Sequence, residues 1–250
     1  MRRGGAHRAV LPAPTPVRVA RTIRDLLIVV VAALALSFLL KQVLVQTFSI
    51  PSGSMAQTLE EGDRVLVSKL APGPLAVHRG DIVVFKDPGE WLSPPPAANR
   101  SIVGEVWHAF LQGVGLAPPD DDQFLIKRVI GMGGDTVECQ VAGAGQAGAL
   151  SVNGEVLSEP YLAEGAMPCT EQLSVTVPDG AVWVMGDNRQ GSMDSRYHRG
   201  GESDGAVDMD LVVGVAKVRL APFTKLSRLA LLRNPGATFV DVPHPGLAEL

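Results

Sequence analysis

Gln123–Gly131 reads QFLIKRVIG, a lysine set in an otherwise apolar run. In a strand, successive side chains point to opposite faces, so Leu125, Lys127 and Val129 share one face while Ile126, Arg128 and Ile130 take the other. The same short-period or apolar-run pattern recurs outward in both directions: DRVLVSKL (Asp63–Leu70), GDIVVFKDP (Gly80–Pro88), ALSVNGEVL (Ala149–Leu157), LSVTVPDGAVWVMGD (Leu173–Asp187) and DLVVGVAKVRLAP (Asp210–Pro222). Each reads as a strand or hairpin, and Asn153-Gly154 between apolar residues marks a tight turn. Few stretches beyond residue 46 sustain a helical period. The expected fold is therefore mainly β, with packed, strongly bent antiparallel sheets over 46–225 and a cysteine-containing subdomain over 136–180. Between Asp87 and Gln123 the chain is Pro-rich and irregular around IVGEVWHAFLQGVG, which reads as a loop-rich insertion holding either a short amphipathic helix or a surface loop with Trp107 and Phe110.

Upstream the pattern is different. DLLIVVVAALALSFLLKQVLVQ (Asp25–Gln46) is apolar from Leu26 to Leu40 apart from Ser37, and continues past Lys41 to Val45. As a helix it would run roughly 30 Å, the depth of a bilayer core, with Lys41 snorkelling toward the headgroups. The reading is a single transmembrane anchor over 23–45. Arg2, Arg3, Arg8, Arg18, Arg21 and Arg24 precede it against one acid, Asp25, and no Lys or Arg occurs in the twenty residues after Lys41. That asymmetry places 1–22, a basic, Pro-rich tail, in the cytoplasm and everything beyond Val45 outside. A cleaved secretory signal is disfavoured because KQVLVQTF offers no small-x-small site, and a buried core helix because a polar face is nearly missing. From Leu226 the tail, 226–250, begins with one or two helical turns at most and holds no second span.

Composition limits the chemistry. A 46% hydrophobic content is enough for a buried core, and a formal net charge of −4 leaves no global basic field, so nucleic acid is not an expected partner. His7, His78, His108, His198 and His244 are scattered without an HExxH pattern, so neither a metal nor another cofactor is expected. Cys139 and Cys169 are the only cysteines. In an exported domain they read as a disulfide closing a loop of about 30 residues, stabilising by roughly 3 kcal/mol in the chain-entropy model, with two independent buried thiols as the alternative.

Immediately after the apolar segment comes QTFSIPSGSMAQTLEEGD (Gln46–Asp63), with three serines and no histidine nearby. A serine hydroxyl is a poor nucleophile until a base takes its proton. No GxSxG elbow is present. The alternative base is a lysine kept neutral by burial, its pKa lowered from about 10.4 by three units or more. Lys127, on an apolar strand face, is the candidate.

SIPSGSMAQTL, GDIVVF, IKRVIGMGGD and VMGDNRQGSMDSR, in that order after an N-terminal span, resemble the successive boxes of bacterial type I signal peptidases, the Ser/Lys proteases of protein export. The resemblance implies Ser54 as nucleophile and Lys127 as general base. It implies that Ser52 and the Ser54 backbone N–H form the oxyanion hole, each donor contributing about 3 to 4 kcal/mol to transition-state stabilisation. Ser192 would hydrogen-bond the lysine amine and hold it in line, and Arg128, Asp187, Asp194 and Arg196 would shape the site, the last two as an ion pair. Phe48, Ile50, Met55, Leu59 and Ile126 would line pockets for small side chains at the first and third positions before the cleaved bond. Two departures stand out: Gln57 and Gly133 occupy positions where the family commonly has proline. The missing proline at 57 is expected to loosen the loop behind the nucleophile.

The expected function is cleavage of signal peptides from exported preproteins after an Ala-x-Ala-type site, at the membrane surface, with the preproteins, the lipid bilayer and the export translocon as partners. Two other readings stand beside it. One is a self-cleaving Ser/Lys repressor-type protease, disfavoured by the span and the lack of DNA-binding helices. The other is an inactive anchored β-domain that binds signal peptides or partner proteins.

Overall fold

In the computed structural model, residues 16–89, 91–92, 124–143, 145–201, 203–220, 230–232, 239 and 242–243 are described. The insertion beyond Leu92, with Trp107 and Phe110, lies outside them, as do the tail before Pro16 and most of 221–250. The chain divides into a unit up to Lys41 and a unit from Gln42 onward.

The first unit is helical. Helix α1 spans Pro16–Leu44, and its described side chains from Ile23 to Leu36 are exposed, almost all of them apolar. Among the described residues no helix is long and apolar enough to cross a membrane. The expected 23–45 boundary is also one residue long. Val45 opens a strand, because its backbone pairs with Ser68.

The second unit is mainly β and antiparallel. Strands β1 (Val45–Ser49), β2 (Arg64–Ser68), β3 (Ile82–Lys86), β4 (Phe124–Met132), β5 (Thr136–Gln140), β6 (Ala149–Val152), β7 (Glu155–Val156), β8 (Leu173–Thr176), β9 (Ala181–Met185), β10 (Val207–Asp208), β11 (Val212–Leu220) and β12 (Ala230–Leu231) form two sheets. The larger runs β1-β2-β11-β3-β4-β9-β10, with β12 added on β11; the smaller runs β7-β6-β5-β8. β1 and β5 are strands that the period-two reading passed over. At β12, Ala230 and Leu231 pair with Arg219 and Val218, so strand replaces the helical turn expected near this point of the tail.

Residue pattern explains these elements. In β2 the burial alternates with Val65 and Val67 inside, whereas IVVF of β3 is buried on both faces, as a continuous apolar run demands. Asn153 and Gly154 both take positive φ, 52° and 84°, which suits the two-residue turn joining β6 to β7. The register slips between Val129 and Gly131 in β4 and twice in β11, and such bulges bend the strands and curl the large sheet.

Three apolar clusters result. One joins the small sheet to Trp183 and Met185 and takes in Phe239 and Val242 from the tail. A second packs Leu125 and Val129 with Val83 and Phe85, and a third packs Ile126 with Phe48, Ile50, Met55 and Leu59. Leu125 and Val129 thus separate from Ile126 and Ile130 as strand alternation requires.

Candidate active site

Ser54 sits in a 3-10 turn, Gly53–Met55, on the loop between β1 and β2. The loop is closed at its base by Ile50 N donating to Asp63 O at 2.9 Å and Gly62 N donating to Ile50 O at 2.9 Å. Met55 and Leu59, both fully buried, pin it to the third cluster. Burial of these two side chains, each on the order of 2 kcal/mol, fixes a loop that is otherwise mostly small or polar.

Lys127 comes from β4, an interior strand flanked by β3 and β9, and is only 4% exposed. Its Nζ lies 2.7 Å from Ser54 Oγ. Burial lowers its pKa from 10.5 to about 8, with Asp194 pulling it back up and Arg196 pushing it down. The drop is smaller than the three units expected from sequence, because carboxylates stand nearby as well as apolar walls. Ser52 is exposed, and its hydroxyl donates to Ser54 Oγ over 3.4 Å.

Ser192 departs from expectation. Its hydroxyl is buried and makes no hydrogen bond, so the expected bond to the lysine amine is not formed in this structure. The amine is instead committed to Ser54. Ser192 nevertheless borders the nucleophile: a side-chain carbon on Gly186 would collide with both Ser192 Oγ and the Ser54 carbonyl oxygen, so only glycine permits this approach.

The turn after β9, Gly186–Asn188, clamps the nucleophile loop. Asn188 N donates to Ser54 O at 3.0 Å and Asn188 Nδ2 to Gly53 O at 3.0 Å. Asp187 accepts from Thr58 Oγ1 at 2.5 Å and from Arg128 Nε and Nη2 at 2.8 and 2.6 Å. Asp194 accepts from Arg196 Nε at 2.8 Å and from Gly186 N at 2.9 Å. All four charged residues singled out by sequence therefore converge, as two buried or mostly buried Arg–carboxylate pairs.

The pocket residues divide. Phe48, Ile50 and Ile126 line a small cavity of about 20 Å³ together with Val84, Phe124 and Leu125. Met55 and Leu59 do not line this cavity; they are packed core beneath it, since a loop this polar needs apolar anchors more than it needs walls. Cys139, on the interior strand β5 of the small sheet, and Cys169 are joined as a disulfide.

Three residues escaped the sequence reading. Arg189 is buried and pairs with Glu159, and the Tyr161 hydroxyl donates to the same carboxylate at 2.6 Å. The Tyr161 ring lies over Arg128, 4.0 Å from guanidinium carbon to ring centre. Arg189 lay inside a quoted motif, but nothing in SEPYL distinguishes Glu159 and Tyr161 from an ordinary polar connection.

The signal peptidase (peptidase S26) family profile matches residues 23–221. A probable signal peptidase I of Mycobacterium leprae is 37% identical over 223 residues, covering 78% of this chain and 75% of its own. This chain belongs to the signal peptidase family. As a member it is an enzyme, a peptidase. Signal peptidase I of Mycobacterium tuberculosis is 37% identical over 210 residues, covering 78% of this chain and 69% of its own, and signal peptidase I U of Bacillus subtilis is 30% identical over 213 residues, covering 82% and 90%. A crystallised signal peptidase I from Enterococcus faecalis aligns with 56% of this chain and 97% of its own at 27% identity, with a TM-score of 0.35, too low for the likeness to bear on the fold.

Proposed function

We propose that this signal peptidase family member cleaves N-terminal signal peptides from exported preproteins, with Ser54 as nucleophile and Lys127 as general base. The observation that carries the reading is the 2.7 Å approach of Lys127 Nζ to Ser54 Oγ inside a buried site. With Nζ neutral, the Ser54 hydroxyl donates to its lone pair; the proton passes to Nζ as Oγ attacks the scissile carbonyl. The tetrahedral oxyanion then takes hydrogen bonds from the Ser54 backbone N–H and the Ser52 hydroxyl. The new ammonium has three N–H groups, and the Ser192 hydroxyl, which has no other partner among the described residues, accepts one of them, holding the lysine in line as the proton moves on to the leaving amine. Hydrolysis of the acyl-enzyme repeats the sequence with water.

Specificity follows from space. A cavity of about 20 Å³ walled by Phe48, Ile50 and Ile126 favours a methyl-sized side chain, the basis for an Ala-x-Ala preference. The apolar run of 26–44 acts as a single membrane anchor, N-terminus inside. Ser54 lies nine residues beyond Val45, a short tether to the bilayer surface where a signal peptide emerges from the translocon.

An inactive binding scaffold is not favoured, since it has no use for a desolvated lysine against a serine. The test is cleavage of a purified preprotein ending its signal in Ala-x-Ala, in detergent or lipid, by the wild type, Ser54→Ala and Lys127→Ala. Cleavage after the last Ala by the wild type alone is expected; equal behaviour of all three would remove the catalytic assignment.

A further inference from the structure

Between β7 and Cys169 the chain makes an excursion, residues 157–168, that returns to the disulfide and touches the active-site loops with charged side chains. The Tyr161 ring covers the Arg128 guanidinium, and the Tyr161 hydroxyl reaches Glu159. Glu159 carries both Nη groups of Arg189 on its carboxylate, and the two side chains are 2% and 1% exposed. Arg189 in turn donates from Nε to Gly186 O at 3.1 Å and from Nη1 to Pro168 O at 2.7 Å, beside Cys169. Gly186 is the residue on which Ser192 and the Ser54 carbonyl close, and Asn188 two residues on holds Ser54 O and Gly53 O. Arg128, under the ring, holds Asp187 and through it Thr58 of the nucleophile loop.

We propose that Glu159 and Tyr161 are positioning residues for the catalytic pair, a strap that fixes Arg189 and Arg128 and thereby the Gly186–Asn188 turn against the Ser54 loop. This rests on the Ser54/Lys127 reading of the site. A guanidinium buried this far cannot stay without a carboxylate. Once Glu159 is neutral, Arg189 turns toward water and lets go of Gly186 O, so the turn that clamps Ser54 shifts. Displacements of the order of 1 Å at such a distance from the chemistry change rates by up to about a hundredfold. Burial raises the Tyr161 pKa well above its ordinary value, reinforced by the neighbouring Glu159, so the ring keeps its donor proton throughout any useful pH range.

The role predicts a loss in turnover rather than in substrate affinity, because the strap touches the reacting groups only through other residues. In the full-length enzyme in detergent, the wild type and Ser54→Ala first establish whether cleavage is Ser54-dependent; failure there would remove the catalytic reading itself. Given that, Glu159→Gln and Tyr161→Leu should lower kcat roughly tenfold to a hundredfold with KM within about threefold, while circular dichroism and melting show them folded at the assay temperature. Tyr161→Phe, which keeps the ring over Arg128, should recover most of what Tyr161→Leu loses. Glu159→Gln combined with Arg189→Gln should be no worse than Arg189→Gln alone, since Glu159 acts through Arg189. Should Glu159→Gln not fold, Glu159→Asp, which keeps the charge but withdraws it by one carbon, takes its place with the same expected kcat loss. Folded variants that turn over within twofold of wild type, losses confined to KM, a Tyr161→Phe as poor as Tyr161→Leu, or additive losses in the double variant would each overturn the strap.

Discussion

The pKa of Lys127 makes the sharpest test of the site, because one number governs both activity and stability. Burial brings it from 10.5 to about 8. If neutral Lys127 is the base, kcat/KM follows its unprotonated fraction: about 1% at pH 6, about half at pH 8 and about 90% at pH 9. The expected profile thus climbs roughly ninetyfold from pH 6 to pH 9, with unit slope below pH 7 and an inflection near 8. The same shift acts against folding. Between about 8 and 10.5 the unfolded chain binds the proton that the folded chain has lost, so stability rises with pH across that window and is reduced by about 3 kcal/mol below it. Lys127→Met, apolar and of similar length, removes this burden. It should abolish cleavage yet raise stability at pH 7 by up to about 3 kcal/mol, with the advantage vanishing above pH 10.5. The assays are kcat/KM on an Ala-x-Ala peptide across pH, and urea unfolding of both proteins at pH 7 and 10.5. An inflection near 6.5, a flat profile, or a Lys127→Met protein less stable than wild type at pH 7 would refute the reasoning.

Arg196→Gln leaves the Asp194 carboxylate acting on Lys127 without its counter-charge, so the inflection should move to higher pH and the loss in activity at pH 7 should shrink toward pH 10; an unmoved profile would mean that the pair does not tune the lysine. Gln57 has φ 85°, a conformation that glycine takes freely and proline cannot. Gln57→Gly should therefore raise stability by a few tenths to about 1 kcal/mol, and Gln57→Pro should lower it, read by thermal melting. The buried Arg79–Asp135 pair also ties the tail to the domain through Val242 O and Pro243 O, so Arg79→Met should lower stability by about 3–5 kcal/mol in urea titration. Despite the burial that would raise it, Asp135 keeps a pKa below 3.8, held there by hydrogen bonds from Arg79 and the Met132 N–H; its contribution is present above pH 3.8 and should be lost as the pH falls through and below that value.

What could be read from sequence was what a local pattern encodes. The alternation around Lys127 and the IVVF run of β3 mark strands because side-chain direction and burial are set within a few residues. VQTFS was instead divided, Val45 going to the apolar segment before it and Gln46–Ser49 to the serine-bearing stretch after it, since a strand joined to an apolar helix carries no break in hydropathy at its start. TVECQ does alternate, with Val137 and Cys139 facing inward, but two apolar positions, one of them a cysteine, are too few to mark a strand. For the site, residues inside sequence boxes were visible and their partners outside were not. Glu159 and Tyr161 owe their roles to a fold-level approach of the small sheet to the Gly186–Asn188 turn, and no spacing rule carries that. Gln57 shows the opposite error. Its replacement of proline reads as a looser loop, whereas the backbone there has taken a conformation in which proline would not fit.

The charges around Lys127 explain why so many ionised groups gather at a site whose base must stay neutral. Glu159 with Arg189, Asp187 with Arg128 and Asp194 with Arg196 are three pairs, each formally neutral and each built on an arginine that stays charged at any useful pH. Apolar residues in their place would be no less stable, for buried pairs seldom add net stability. They would, however, leave the polar turns of Gly53–Met55 and Gly186–Asn188 without directional partners. The pairs supply donors and acceptors of fixed geometry at nearly zero net charge. The loops are thereby held to each other, while Lys127 responds chiefly to burial, the first cause of its lowered pKa. A single Lys–carboxylate contact would have offered the same anchoring and destroyed the base.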